Sequence, residues 1–171
     1  VNLNGKEINK IQFSENTIHP NCIYKSNDGK VYAGTNSGIY ELSGFNKPKK
    51  VFSEISLPVY SICLQQNVWY FGSTDVVVSI NGSALNAVKL PESGNIKRLL
   101  VDRNNNIWAA TFPQNKLFLI TNNRILDVSA KLGLAGASVN KVMEDNEGNI
   151  WIATYGKGVF CIHHMLQMTL L

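Results

Sequence analysis

The chain has 171 residues, of which 44% are hydrophobic and only 16% are charged, and its formal net charge is +4. This hydrophobic content supports a packed core and excludes a disordered chain. No stretch approaches the ~20 apolar residues of a membrane-spanning helix, and the one dense basic run, at 47–50, lacks the interleaved aromatic residues of a nucleic-acid platform, so no nucleic-acid partner is expected.

A short pattern recurs four times along the chain: a tight-turn residue, a spacer, and an apolar strand that ends in a small residue and a hydroxyl. An aromatic residue marks each copy, at steps of 38, 38 and 43 residues: Tyr32, Tyr70, Trp108 and Trp151. Self-similarity at this period indicates an array of one supersecondary unit. Four short strands with regular turn signals in each unit predict an all-β fold and the blades of a β-propeller.

In chain order, residues 1–14 are predicted to hold the outer strand of a preceding blade, with an Asn-Gly turn before a strand at 6–13. Four blades follow, at 18–55, 58–92, 95–130 and 138–171. The tail, 163–171, is expected either to add a fourth strand to the last blade or to be disordered. The chain as a whole, 1–171, is therefore predicted to be a β-propeller fragment of about four four-stranded antiparallel blades, cut from a longer polypeptide.

The individual strands follow from the same pattern. They are predicted at 21–26, 31–35, 38–41 and 50–52; at 60–65, 69–73, 76–80 and 87–90; at 96–102, 106–111, 116–120 and 124–128; and at 139–145, 150–154 and 158–162. The second strand of each blade is nearly continuously apolar, so both of its faces are expected to be covered and its large ring buried between neighbouring blades.

The fourth copy carries the most specific motif. It reads Leu132-Gly133-Leu134, then Asp145-Asn146-Glu147-Gly148-Asn149-Ile150-Trp151-Ile152-Ala153-Thr154, then Gly156-Lys157-Gly158-Val159. This resembles the two-component regulator propeller repeat, in which Gly-Leu precedes Asp-x-x-Gly-x-Ile-Trp and a small residue followed by Thr. The third copy matches through Asp102, Trp108 and Thr111, whereas the second departs most, with Leu64 in place of the aspartate.

The resemblance implies a function outside the cytoplasm. Such repeats form the periplasmic sensor region of hybrid two-component system sensor kinases of the Bacteroidetes type, which respond to oligosaccharides. The resemblance thus implies an oligosaccharide or other small ligand, a periplasmic location, and a chain that is not itself an enzyme, with histidine kinase activity outside it. Two alternatives stay open: a protein-interaction propeller scaffold, although the Gly-His and Trp-Asp pairs of WD-type arrays are absent, and a fragment of a propeller lyase or hydrolase.

The candidate ligand-binding residues lie in the loops between second and third strands, because propellers bind at loop faces and in the central channel. They are Tyr155, Phe112, Asn36, Asp75, Gln114 and Lys157, with Ser37, Thr74 and Asn115 beside them. Amide, hydroxyl and aromatic groups suit sugar hydroxyls and ring faces, but the same residues are ordinary turn formers. Tyr155 and Phe112 are the strongest candidates, because a large ring in a loop has fewer structural roles.

Other reactive side chains are not expected to form a site. Cys22, Cys63 and Cys161 have no metal-binding spacing and are expected to be buried structural thiols, and no cofactor is expected. His163 and His164 are adjacent on a predicted strand, so their side chains would point to opposite faces and not share a metal. His19 is expected to form loop hydrogen bonds.

Blade faces at the ends of the fragment are expected to be exposed and apolar. The remainder of the parent propeller, or a second copy of the chain in a homo-oligomer, is therefore expected to cover them.

Overall fold

A computed structural model describes residues 2–3, 6–7, 10–44, 46–122 and 124–167. These residues confirm the predicted all-β fold, since they form four antiparallel sheets of three or four strands besides one short hairpin. The chain divides into two compact units, Val1–Val59 and Tyr60–Leu171. Among the described residues no helix has the length and apolar character needed to cross a membrane.

The first unit holds the hairpin and the first sheet. Its strands are β1 (Asn2–Leu3) and β2 (Lys6–Glu7) in the hairpin, and β3 (Pro20–Lys25), β4 (Val31–Thr35), β5 (Gly38–Leu42) and β6 (Lys49–Val51) in the sheet. Of the strand predicted over 6–13, the described residues form β2 and then have no regular structure over 10–13. This segment contacts the first sheet through a side chain and not through strand pairing. The Phe13 ring packs edge-on against the Tyr40 ring of β5, with the ring centres 5.3 Å apart. The predicted Asn-Gly turn lies outside the described residues.

The second unit holds three sheets, each in simple meander order. The second sheet contains β7 (Ser61–Gln65), β8 (Val68–Gly72), β9 (Val76–Asn81) and β10 (Ala84–Lys89); the third contains β11 (Asn95–Val101), β12 (Ile107–Phe112), β13 (Leu117–Thr121) and β14 (Arg124–Asp127); the fourth contains β15 (Ser138–Glu144), β16 (Ile150–Tyr155) and β17 (Val159–Ile162). Most of these strands begin and end within one or two residues of the predicted bounds.

The fourth sheet is followed by a short helix, α1 (His164–Gln167), so the expectation of a strand or disorder is wrong there. Met, Leu and Gln are strong helix formers, which explains the preference of this segment. Residues 168–171 lie outside the described part.

The sheets of the second unit pack face to face through apolar side chains. On one side of the third sheet, Phe118 and Ala109 pack with Val77 of the second sheet and with Leu90, which directly follows its last strand. On the other side, Trp108 packs in one cluster with Ile152 and other residues of the fourth sheet. Close approach requires a small residue at position 72, because a Cβ atom on Gly72 would lie 2.7 Å from Cγ2 of Ile96.

The aromatic markers are not all buried as predicted. Tyr32 and Trp108 are buried and Tyr70 is half-buried, but Trp151 is 39% exposed. Trp151 lies on the side of the fourth sheet that faces solvent in the described chain. There it borders an open groove of 230 Å³ with Lys141, Met143, Ala153 and Val159.

The cysteines also differ from expectation. Cys161 pairs with Trp151 in the sheet register and shares its open face, so it is exposed and not buried. Cys63 on β7 is partly covered, and burial raises the pKa of its thiol.

Candidate functional site

The turn that joins the first two strands of the third sheet is built around one carboxylate. Asp102 accepts hydrogen bonds from the backbone N–H groups of Asn104 and Asn106, both at 2.9 Å, and from the side-chain amide of Asn106 at 3.0 Å. Its second oxygen also accepts the indole N–H of Trp108, six residues later, at 3.0 Å. The aspartate and tryptophan of the repeat motif are therefore direct partners.

The fourth sheet repeats this arrangement. Asp145 accepts hydrogen bonds from the backbone N–H groups of Glu147 and Asn149, from the Asn149 side-chain amide, and from the Trp151 indole N–H at 2.7 Å. The indole bond is the largest cause that lowers the pKa of Asp145 to about 2. These four hydrogen bonds fill the accepting capacity of the Asp145 carboxylate within its own turn. The motif therefore stabilises the turn and leaves this aspartate no capacity for a ligand.

Ligand chemistry is available at the opposite end of the second strands. The four residues that follow the aromatic markers by four positions are Asn36, Thr74, Phe112 and Tyr155. Asn36 is occupied in the first unit: its amide donates to the carbonyl of Thr17 at 2.9 Å and accepts the N–H of His19 at 2.8 Å. Thr74 is occupied in the second unit, where its hydroxyl bonds the Asn95 side chain at 3.0 Å.

The other two of these four residues are aromatic and exposed. Phe112 ends β12 and is 49% exposed, and Tyr155 ends β16 and is 79% exposed. They occupy the same repeat position on the third and fourth sheets, which pack against each other. A pair of open rings at one end of adjacent sheets offers flat apolar surfaces to a ligand.

The end of β12 and the loop after it also hold polar atoms without partners. Among the described residues, the buried side-chain oxygen and nitrogen atoms that lack a hydrogen bond are the Thr111 hydroxyl and the Asn115 amide oxygen. In two other repeats the equivalent hydroxyl closes the turn: Thr35 donates to the Gly38 carbonyl at 2.9 Å, and Thr154 to the Gly158 carbonyl at 2.8 Å. In the third sheet the equivalent carbonyl, that of Lys116, accepts the backbone N–H of Thr111 at 2.9 Å, and the Thr111 hydroxyl stays without a partner.

The remaining predicted residues divide into two groups. Asp75 donates its backbone N–H to the Gly94 carbonyl at 2.9 Å, and a Cβ atom on Gly94 would collide with the Gln114 amide, so Asp75 and Gln114 flank the same residue. Lys157 is tied elsewhere, because its ammonium donates to the Ala135 carbonyl at 2.7 Å.

Sequence reasoning missed the polar residues on the inner strands. Lys97 on β11 and Asn140 on β15 are the extra residues of two β-bulges near these same strand ends. The next residues, Arg98 and Lys141, resume the pairing. The consecutive polar residues Lys97-Arg98 and Asn140-Lys141 interrupt the apolar alternation of each strand and are the signal that could have indicated a bulge.

Among the described residues, no group of three His, Cys, Asp or Glu side chains could hold a metal ion. The backbone N–H of His19 donates to the Asn36 side chain and its carbonyl accepts the Asn36 N–H, whereas the predicted role of the His19 ring in loop hydrogen bonding stays a prediction. His163 and His164 do not lie on a strand as predicted, since β17 ends at Ile162 and α1 begins at His164.

A comparison with protein-family models matches residues 133–156 to the family described as Two component regulator propeller. These residues contain most of the motif of the fourth repeat, so the match confirms the resemblance of that motif. No curated protein matches the chain in sequence.

Solved structures share the fold. The extracellular domain of BT4673 from B. thetaiotaomicron, described as a hybrid two component system, is 21% identical, with a TM-score of 0.63 over 86% of this chain. Virginiamycin B lyase from Staphylococcus aureus, in an inactive variant with quinupristin, is 15% identical, with a TM-score of 0.68 over 94% of this chain. The Pan2 WD40 domain of Neurospora crassa is 16% identical, with a TM-score of 0.59 over 84%.

These likenesses show a propeller fold and not an activity. The chain spans 21% of the B. thetaiotaomicron domain, 56% of the lyase and 46% of the WD40 domain. It therefore corresponds to a portion of each of these propellers.

Proposed function

We propose that this chain is part of the periplasmic sensor propeller of a hybrid two-component system and that it binds an oligosaccharide at the loop ends of its third and fourth sheets. The observation that carries the proposal is the exposure of Phe112 and Tyr155 at one repeat position whose other two members are engaged in hydrogen bonds. The repeat matched at 133–156 supports the sensor assignment, and the extracellular location of a similar structure supports the periplasmic one.

The chemistry of the site suits a sugar better than a catalytic reaction. The apolar face of a pyranose can stack on an exposed aromatic ring while its hydroxyl groups reach polar atoms at the edge. The exposed side-chain amide of Gln114, two residues after Phe112, supplies such atoms. Because the described part of the site presents no nucleophile held by a base, we propose that this chain is a binding module and not an enzyme.

The proposal is tested by calorimetric titration of the chain with neutral and acidic oligosaccharides. We expect Tyr155→Ala and Phe112→Ala each to weaken binding by about tenfold, because a stacked ring contributes on the order of 1 kcal/mol beyond its buried area. Tyr155→Phe keeps the ring and should retain most of the affinity. Leu85→Ala is the matched control, since Leu85 is similarly exposed on β10, away from the site.

Two outcomes would contradict this function. One is the absence of binding to every oligosaccharide tested. The other is binding that the two ring substitutions leave unchanged, which would place the sugar elsewhere on the chain.

A further inference from the structure

The two β-bulges bring cationic side chains to the same end of the sheets as the exposed rings. In the third sheet, Asn95 pairs with Phe112, and the bulge begins two residues later at Lys97. In the fourth sheet, Ser138 pairs with Tyr155, and the bulge begins two residues later at Asn140. Bulges redirect side chains and occur often beside functional sites.

The Arg98 guanidinium joins the two bulges. Its Nε–H donates to the carbonyl oxygen of Asn140 on the neighbouring sheet, and its Nη1–H donates to the Lys97 carbonyl at 2.8 Å. The Lys97 ammonium lies 4.3 Å from the centre of the Tyr60 ring. Lys141 is exposed and directly follows Asn140, whose carbonyl oxygen accepts the Arg98 hydrogen bond.

The charges on the surrounding strands are unbalanced. The first two strands of the three sheets in the second unit are β7, β8, β11, β12, β15 and β16. Together they contain the three cations Lys97, Arg98 and Lys141 and a single carboxylate, Glu144. Arg103 already binds Glu144 at 2.6 Å, at the far end of β15. On the adjoining loops, Glu92 faces Lys116 at 3.8 Å, and Asp75 follows β8.

We propose that the bulged ends of β11 and β15 form an anion subsite that binds a carboxylate or sulfate group of the ligand through Lys97, Arg98 and Lys141. This inference rests on the proposed function and narrows it: the oligosaccharide is acidic, and it places its charged group over the inner strands while its sugar rings contact Phe112 and Tyr155. Three cations on two adjoining bulged strands, none of which forms an ion pair within the described part of the chain, attract such a group and form charge-assisted hydrogen bonds with it.

The test compares matched ligands by calorimetry on the whole chain. Trigalacturonic acid should bind at least tenfold more tightly than neutral galactotriose, and its affinity should fall as sodium chloride is raised. Lys97→Gln and Lys141→Gln should each lower the affinity for trigalacturonic acid by about tenfold and leave the affinity for neutral galactotriose unchanged. Lys89→Gln, at an exposed lysine of β10, is the control and should change neither.

Arg98→Gln should have the largest effect, and its thermal unfolding must be measured because Arg98 also joins two sheets. The lysine variants keep the test valid if the Arg98 variant does not fold. Inorganic sulfate and a chondroitin sulfate disaccharide are the two further ligands. Comparing their affinities shows whether the subsite binds a free anion or an anionic group carried by a sugar.

Each result is decisive. Equal binding of neutral and acidic trimers, unaffected by the lysine variants, overturns the anion subsite and leaves sugar binding intact. Binding of sulfate alone, abolished by the lysine variants with no sugar bound, supports the subsite and overturns the sugar sensor. If no ligand binds, both proposals are overturned.

Discussion

The third and fourth sheets contain the same turn in two different environments. In both, an aspartate accepts the indole N–H of a tryptophan six residues later, at 3.0 Å for Trp108 and 2.7 Å for Trp151. Trp108 is fully buried against the fourth sheet, whereas Trp151 is 39% exposed. The difference shows that a repeat builds its own turn and positions its own ring, but the neighbouring sheet supplies the burial.

The join between these two sheets also has an ionic component. Arg103, directly after Asp102, donates to the Glu144 carboxylate at 2.6 Å and to the Asp145 carbonyl at 2.6 Å. The equivalent residue after Asp145 is Asn146, which has no positive charge with which to bind a following sheet in this way. The third sheet thus contacts the fourth both through apolar packing around Trp108 and through the ion pair of Arg103 with Glu144.

The largest expected effect is on packing. Trp108→Ala should lower the free energy of unfolding by about 3–5 kcal/mol, because it leaves a cavity in a closed core. Trp151→Ala should cost only about 1 kcal/mol, since much of its ring is already in water. Urea unfolding followed by circular dichroism measures both; equal losses would show that burial by the neighbour is not the deciding factor.

Removal of the buried carboxylate should come next. Asp102→Ala leaves the Trp108 indole N–H and the turn N–H groups without an acceptor, so the free energy of unfolding should fall by about 1–3 kcal/mol. Asp145→Ala, at the more exposed turn, is the matched variant and should cost less. Were the Asp145 variant the less stable of the two in urea, the comparison between the turns would be wrong.

Loss of the ionic join should have a smaller effect. Arg103→Ala should cost about 1 kcal/mol, because the guanidinium is half exposed. A double-mutant cycle with Glu144→Gln should show that most of this loss depends on the pair. Additive losses in the cycle would mean that Arg103 acts through its backbone-carbonyl contacts alone.

The Asp145 turn should make stability depend on pH in the acid range. Its pKa is lowered from 3.8 to about 2, so its contribution is complete above pH 4 and is lost as the pH falls toward 2. Asp145→Asn should therefore flatten the decline in thermal midpoint between these values. An unchanged decline in the variant would assign the acid sensitivity to other carboxylates.

The open face around Trp151 should cause weak self-association. This face is the repeat equivalent of the side of the third sheet that the fourth sheet covers, so we propose that a second copy of the chain covers it when no further blade does. Val159→Lys should reduce association measured by light scattering, and Met165→Lys, at an exposed residue of α1, should not. A chain that stays monomeric at high concentration would exclude this contact.

Most of the fold could be predicted because each repeat encodes its own strands and turns. The spacing from aspartate to tryptophan is evident in the sequence, but the pattern indicates only that the ring packs between sheets. It does not indicate that the indole N–H also donates a hydrogen bond to the aspartate. Burial could not be predicted for Trp151 and Cys161, since it depends on what lies beside the sheet. The bulges at Lys97 and Asn140 were equally hidden, because register is a property of two strands and not of one.

The repeat position occupied by Asn36, Thr74, Phe112 and Tyr155 has an evolutionary consequence. It lies at one end of the second strand, and the aspartate-centred turn lies at the other, with the five residues 107–111 of β12 between Phe112 and the turn in the third sheet. A substitution at the open end leaves the self-contained turn untouched. Such a scaffold can diversify what it recognises one blade at a time while each blade keeps its means of folding.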